Sequence, residues 1–276
     1  MQDIKITIIQ SNLHWENIDK NLEMFFDKIS NISEQTDLIV LPEMFNTGFT
    51  MNAKKLAEKA DGKTIRWMSK HAKEKNCVIT GSLIVEESGN YFNRLVWMKP
   101  DGSHHTYDKR HLFRLANEQN YYSSGNKRLI VELKGWRICP LVCYDLRFPV
   151  WSRNKKLAVD LQPTTNNQQL TTNYDLLIYV ANWPERRIHP WKTLLLARAI
   201  ENQCYVVGLN RIGNDGNNVY HSGDSAVVNP KGEIISKTKT DKESIETVNL
   251  SYKDLEDFRK SFPVGLDGDN FEIISD

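Results

Sequence analysis

Short runs of β-branched and aliphatic residues recur along this whole chain and alternate with longer amphipathic stretches. That alternation limits the fold more than any other feature. Residues 4–10, Ile-Lys-Ile-Thr-Ile-Ile-Gln, read as a strand, and 16–32 as a helix with Ile18, Leu22, Phe25, Phe26 and Ile29 on one stripe. Residues 37–41, Asp-Leu-Ile-Val-Leu, form a continuous apolar run, the pattern of a strand buried on both faces. A helix over 63–75 and strands over 77–85 and 91–98 follow, then two strands within 128–142 split by Lys134-Gly135, and a buried run over 175–181. A helix over 190–203, with proline in its first turn, precedes strands over 204–211, 224–229, 233–237 and 244–250 and a closing helix over 252–260.

About a dozen strands interleaved with four or five helices imply an α/β architecture in which helices cover sheet faces. One open sheet rarely exceeds ~10 strands, so two packed sheets with helices outside is the expected solution. No Pro/Gly/Ser-rich linker divides the chain, and residues 1–276 read as a single domain. The exception to the pattern is a polar, amide-rich insertion at about 155–173, read as an exposed loop. The alternative is a lid, but the helix after Cys143 should carry the chain away from the chemistry. Deleting the loop is expected to leave turnover nearly intact.

The 276 residues carry 36 basic and 35 acidic side chains, a net charge of +1 that argues against a nucleic-acid partner. The first residues pattern as a strand and not as a leader, and no apolar segment approaches the ~20 residues a bilayer span requires. The expectation is a cytoplasmic protein with no membrane partner. Cys77, Cys139, Cys143 and Cys204 are too few for a disulfide scaffold and read as reduced. Cys139 and Cys143 have no histidine nearby in sequence, so no metal is expected.

Cys143 stands out, in Val-Cys-Tyr-Asp-Leu-Arg-Phe-Pro, where an apolar run meets a helix-like stretch. A helix dipole and free backbone N–H groups there favour the nucleophilic thiolate. A lone cysteine is more often a small buried hydrophobe. Two further segments give it meaning. Glu43, in Leu-Pro-Glu-Met-Phe, ends a buried strand, at the edge where α/β crevices open. Its apolar neighbours Met44 and Phe45 would desolvate it as a general base requires, although a carboxylate solvating a turn is the plainer reading. Lys109 lies among polar residues 106–111, which alone suggest an exposed turn. Beside a thiolate, a lysine lowers the thiol's pKa and donates to an oxyanion. Nucleophile, carboxylate base and fixed cation together suit amide hydrolysis through an acyl-enzyme.

These segments resemble the Glu-Lys-Cys triad of the nitrilase superfamily, the carbon–nitrogen hydrolases, in order and spacing along nearly the whole chain. Residues 43–49, 143–151, 179–184 and 197–203 resemble the omega-amidase branch. The resemblance implies a four-layer αββα sandwich, paired as a homodimer or larger homo-oligomer, and no cofactor. It implies Cys143 as nucleophile, Glu43 as base and acid, and Lys109 with the Tyr144 backbone N–H on the oxyanion. Glu118 matches the family's second glutamate, which orients the lysine or the attacking water. The implied reaction hydrolyses the terminal amide of short dicarboxylate monoamides such as 2-oxoglutaramate and succinamate. A related amidase, a carbamoylase or a nitrilase is the alternative, although nitrilases typically carry tryptophan and glutamate where Tyr144 and Asp145 stand. Arg147 is a candidate for the substrate's distal carboxylate, or else a structural ion-pair partner. Phe45, Phe113, Tyr144 and Trp183 are candidate pocket walls or plain core aromatics, with Asn182-Trp183 placed at a strand end. Non-catalytic and thiol-redox readings remain as other classes, the latter requiring Cys139 as resolving thiol.

Overall fold

The computed structural model describes residues 1–154, 174–269 and 271–273; the insertion expected at 155–173 lies outside them. In chain order the elements are β1 (Ile4–Gln10), α1 (Ile18–Ser30), β2 (Leu38–Val40), α2 (Ala53–Leu56), α3 (Lys63–Lys75), β3 (Val78–Glu87), β4 (Asn90–Met98) and β5 (His104–Asp108). They continue with β6 (Val131–Leu133), β7 (Trp136–Val142), α4 (Pro149–Ser152), β8 (Leu176–Ala181), α5 (Ile188–Asn202), β9 (Tyr205–Asn210), β10 (Ile212–Asn214), β11 (Tyr220–Ser222), β12 (Ala226–Val228), β13 (Ser244–Leu250) and α6 (Tyr252–Ser261).

Two sheets form, in the orders β13-β1-β2-β3-β4-β5 and β12-β9-β8-β7-β6, with β10-β11 as a separate hairpin. Each sheet has a parallel centre: β1, β2 and β3 in one, β7, β8 and β9 in the other. Antiparallel strands flank both centres. The period of two along each strand decides which layer a side chain enters. Ile6, Ile8, Leu38 and Val40 face the second sheet, in one core with Ile138, Leu176 and Val207. Their alternates Ile9, Ile39, Leu41 and Ile79 face α1 and α3, against Leu22, Phe25, Ile65 and Met68. Each such fully buried side chain contributes on the order of 1.5–3 kcal/mol. On the far side α5 lies directly on β9: a Cβ at Gly208 would come within 2.4 Å of Leu195 Cδ1. The layers are therefore helix, sheet, sheet, helix, as expected.

Local signals set the helix ends. Asn17 caps α1 by accepting from Lys20 N at 3.1 Å, and Ser251 caps α6 by accepting from Asp254 N at 3.2 Å. Three sequence expectations need correction. Residues 233–237 do not form a strand; Ile234 makes one bridge to Val228. The helix-like stretch after Cys143 is a 3₁₀ turn, Cys143–Arg147, followed by the short α4. Pro149, which lacks an N–H, begins α4 and so separates it from that turn. Finally, β5 and the β10-β11 hairpin form where no strand was expected.

Candidate active site

The sheet topology brings distant segments to one edge. Glu43 follows β2 after two residues, and Cys143 follows β7 directly. Lys109 follows β5, which is antiparallel to β4 and so runs in the direction of β3 and β2. All three side chains thus leave strands at their C-terminal ends, where α/β crevices open. Asn182 and Trp183 follow β8 at the same edge of the second sheet.

Lys109 is fully buried, not in an exposed turn. Its Nζ donates to Glu43 Oε1 at 2.9 Å and to both oxygens of Glu118 at 3.0 Å. All three side chains have 0% exposure. Burial opposes the lysine's charge, but Glu118 and then Glu43 outweigh it and hold Lys109 well above the usual lysine range. Asn93, on β4, donates to Glu43 Oε1 at 2.8 Å and is itself held by Ser82 Oγ at 2.7 Å. Glu43 Oε2 accepts from the backbone N–H of Asn182 at 2.8 Å. Glu118 Oε2 accepts from Phe113 N at 2.5 Å. Each carboxylate oxygen has at least one donor, as buried charges require.

Cys143 adopts φ 43°, and Met44, next to Glu43, also adopts φ 43°. Left-handed backbone at a non-glycine residue costs about 1–3 kcal/mol and persists where surroundings enforce it. Asp145 does so here. Its Oδ2 accepts from Val142 N at 3.0 Å and Tyr107 OH at 2.7 Å, and its Oδ1 pairs with His111 N and Nδ1. One buried carboxylate thereby ties the Cys143 turn to the loop that carries Lys109.

Cys143 and Glu43 line one cavity, and the charge of Glu43 acts on the thiol. Burial first, then the charge of Glu43, push this thiol well above its ordinary range, and Lys109 opposes them without prevailing. This corrects the expectation of a lysine-stabilised thiolate. One ammonium facing two carboxylates leaves the cluster negative, so a thiolate would add a second net negative charge. The resting group is a thiol that shares its cavity with the Glu43 carboxylate, an arrangement suited to proton transfer during attack. Cys77 and Cys139 are buried too and pushed up to about 12.

Cys143, Glu43 and Lys109 line a cavity of about 490 Å³ that also includes Phe113, Tyr144, Arg147, Asn182, Trp183 and Arg187. Phe45 does not reach it and is corrected to a core residue. The turn at Met44 sends it back under α1, edge-on to Phe25 at 5.6 Å and close to Trp67 at 6.0 Å. Arg147 lies over the Trp183 ring at 5.1 Å, and no carboxylate among the described residues pairs with it. Arg187, which sequence reasoning missed, lies over Phe113 at 4.9 Å, also without a carboxylate partner. Asn93 was missed as well; the signal available was an amide inside an otherwise apolar strand pattern. No cluster among the described residues groups three or more metal-ligating side chains.

Two packed sheets bring a cysteine, a lysine and paired glutamates together at one edge, an arrangement of the kind hydrolases use. The chain belongs to the carbon–nitrogen hydrolase family, whose model matches residues 5–260. It is 44% identical to omega-amidase YafV of Escherichia coli strain K12 over 273 residues, 99% of this chain and 100% of that one. The 2-oxoglutaramate amidase of Bacillus subtilis strain 168 is 33% identical over 253 residues, 90% of each chain. Among solved structures it resembles XC1258 of Xanthomonas campestris, a member of the same superfamily that carries an arsenic adduct in its active site. That match has a TM-score of 0.92 and 42% identity, and covers 99% of this chain and 100% of the other. The chain is a hydrolase of carbon–nitrogen bonds.

Proposed function

We propose that this protein is an omega-amidase, hydrolysing the terminal amide of short dicarboxylate monoamides to acid and ammonia. The observation that carries the reading is one cavity lined by the Cys143 thiol, the Glu43 carboxylate and a buried lysine, together with three arginines, Arg147, Arg186 and Arg187, that pair with no carboxylate among the described residues. Relatives named omega-amidase and 2-oxoglutaramate amidase over nearly the whole chain support it. In this mechanism Glu43 takes the thiol proton as sulfur attacks the amide carbon. Lys109 and the Tyr144 N–H, in the first turn of its 3₁₀ helix, stabilise the oxyanion. Glu43 passes the proton to the departing nitrogen, ammonia leaves, and the same carboxylate activates water to cleave the thioester. Glu118, bonded to Lys109 through both oxygens, positions that ammonium. Arg147 and Arg187 hold the distal carboxylate, each supported on an aromatic face of the cavity, Trp183 and Phe113.

Ammonia release from 2-oxoglutaramate and succinamate, measured against a nitrile and an N-carbamoyl amino acid, tests the reading. Turnover of the monoamides and its loss in Cys143→Ala are expected; no turnover on any monoamide would overturn it.

We also read the chain as one domain, because the core between the sheets belongs to both. A homodimer fits the exposed Val150 (56%), Ile200 (55%) and Phe262 (60%) on and beside α4, α5 and α6. A cytoplasmic location fits four free cysteines and the lack, among the described residues, of a helix long and apolar enough to cross a membrane.

A further inference from the structure

Asn182 has one polar atom without a partner. Its side-chain Nδ2 donates to the Glu43 backbone oxygen at 2.5 Å, and its backbone N–H donates to Glu43 Oε2 at 2.8 Å. The first contact fixes the amide's orientation, since a flipped side chain would set oxygen against oxygen. Oδ1 is therefore the free atom, and it is buried with no donor among the described residues. A buried acceptor left unpaired costs about 1–3 kcal/mol, and each such group in a native structure calls for an explanation. Asn182 lines the same cavity as Glu43, Lys109 and Cys143. At 5% exposure it is buried, between the values for Lys109 and Cys143 beside it.

We infer that Asn182 Oδ1 accepts a hydrogen bond from the amide nitrogen of the substrate and holds that nitrogen as it departs. The inference rests on the amidase reading above and adds a residue to it. Glu43 must protonate the leaving nitrogen, and Glu43 Oε2 already touches residue 182, so a nitrogen within reach of that oxygen lies beside the Asn182 side chain. In the planar amide an N–H is a neutral donor. Once the nitrogen becomes tetrahedral and takes up the proton, its N–H bonds are polarised, and charge-assisted hydrogen bonds are roughly twice as strong. The contact therefore strengthens along the reaction and favours the transition state over the bound substrate. It also selects leaving groups that carry N–H over those that do not.

An ester of the same acid separates this role from a structural one, because its leaving oxygen has no N–H to offer. Succinamate and monomethyl succinate are compared in the wild type, Asn182→Ala and Asn182→Ser. Loss of the contact is expected to lower the amide-to-ester ratio of kcat/KM by about 10- to 100-fold. The ratio is internal to each preparation, so a partly folded variant leaves it unchanged. An unaltered ratio, with both substrates declining in step, would overturn the inference and leave Asn182 as a support for Glu43 alone. A wild type unable to hydrolyse succinamate would overturn the amidase reading itself, a separate result.

Discussion

Replacing Glu118 with glutamine is the sharpest probe of the buried cluster. The change preserves shape and removes one charge. Both carboxylate oxygens accept: Oε1 from Lys109 at 3.0 Å, and Oε2 from Lys109 at 3.0 Å and Phe113 N at 2.5 Å. A glutamine has one acceptor oxygen, so in either orientation its NH₂ meets a donor. Leaving such a buried group unmatched costs about 1–3 kcal/mol, expected as a lowered urea midpoint. Lys109 loses the partner that holds it on both sides, and impaired oxyanion stabilisation lowers kcat by about 10²–10³. The charge change has a distinct signature. Glu118 is among the groups pushing the Cys143 thiol upward. Removing its charge brings that thiol down, so the pH dependence of Cys143 alkylation by iodoacetamide shifts to lower pH while turnover falls. A nucleophile easier to ionise in a slower enzyme is the expected combination. A folded variant with wild-type kcat, or an alkylation profile that stays put or moves upward, refutes the reasoning.

Two further predictions concern stability. Gly81, on β3, has Leu41 Cβ and Phe45 Cδ1 each 2.9 Å from where a Cβ would sit. Gly81→Ala should lower stability by about 1–3 kcal/mol through overpacking, measured as a shifted denaturation midpoint. Burial, reinforced by Arg211, depresses buried His221 to about 4. The unfolded chain therefore takes up a proton near 6.5 that the folded chain refuses, and stability falls as pH drops from there towards 4. Between pH 7 and pH 5 this amounts to about 2 kcal/mol, which His221→Gln should remove from the difference between urea midpoints at the two pH values.

The sandwich was legible because its central strands are uniform apolar runs and its helices carry clear stripes. What escaped were elements whose burial comes from neighbours. In β5, His104, His105 and Thr106 are exposed and only Tyr107 is fully buried, so no apolar pattern marks the strand that delivers Lys109. The strands β10 and β11 span three residues each, too short for a period to register. Conversely, Ile234 and Ile235 suggested a strand where the chain makes a single bridge. The resemblance to carbon–nitrogen hydrolases placed Glu43, Lys109, Glu118 and Cys143 in one cluster, yet the thiol's ionisation was misjudged. That sign depends first on burial and then on two carboxylates facing a single ammonium, a balance visible only in three dimensions. Phe45 was misplaced for a related reason: the left-handed turn at Met44 decides which way the next side chain points.

The chain's last strand has an unusual duty. After β6, β7, β8, β9 and β12 have built the second sheet, β13 returns to the first and pairs with β1 from Ile4↔Leu250 to Gln10↔Ser244. Glu43, Lys109 and Glu118 come from segments that precede the second sheet, whereas Cys143 and Asn182 hang from its strands. Neither half of the polypeptide owns a complete set of reactive groups. Turnover is consequently a gauge of docking: it can return during renaturation only once the two sheets have met face to face, however early their separate hydrogen-bond ladders form.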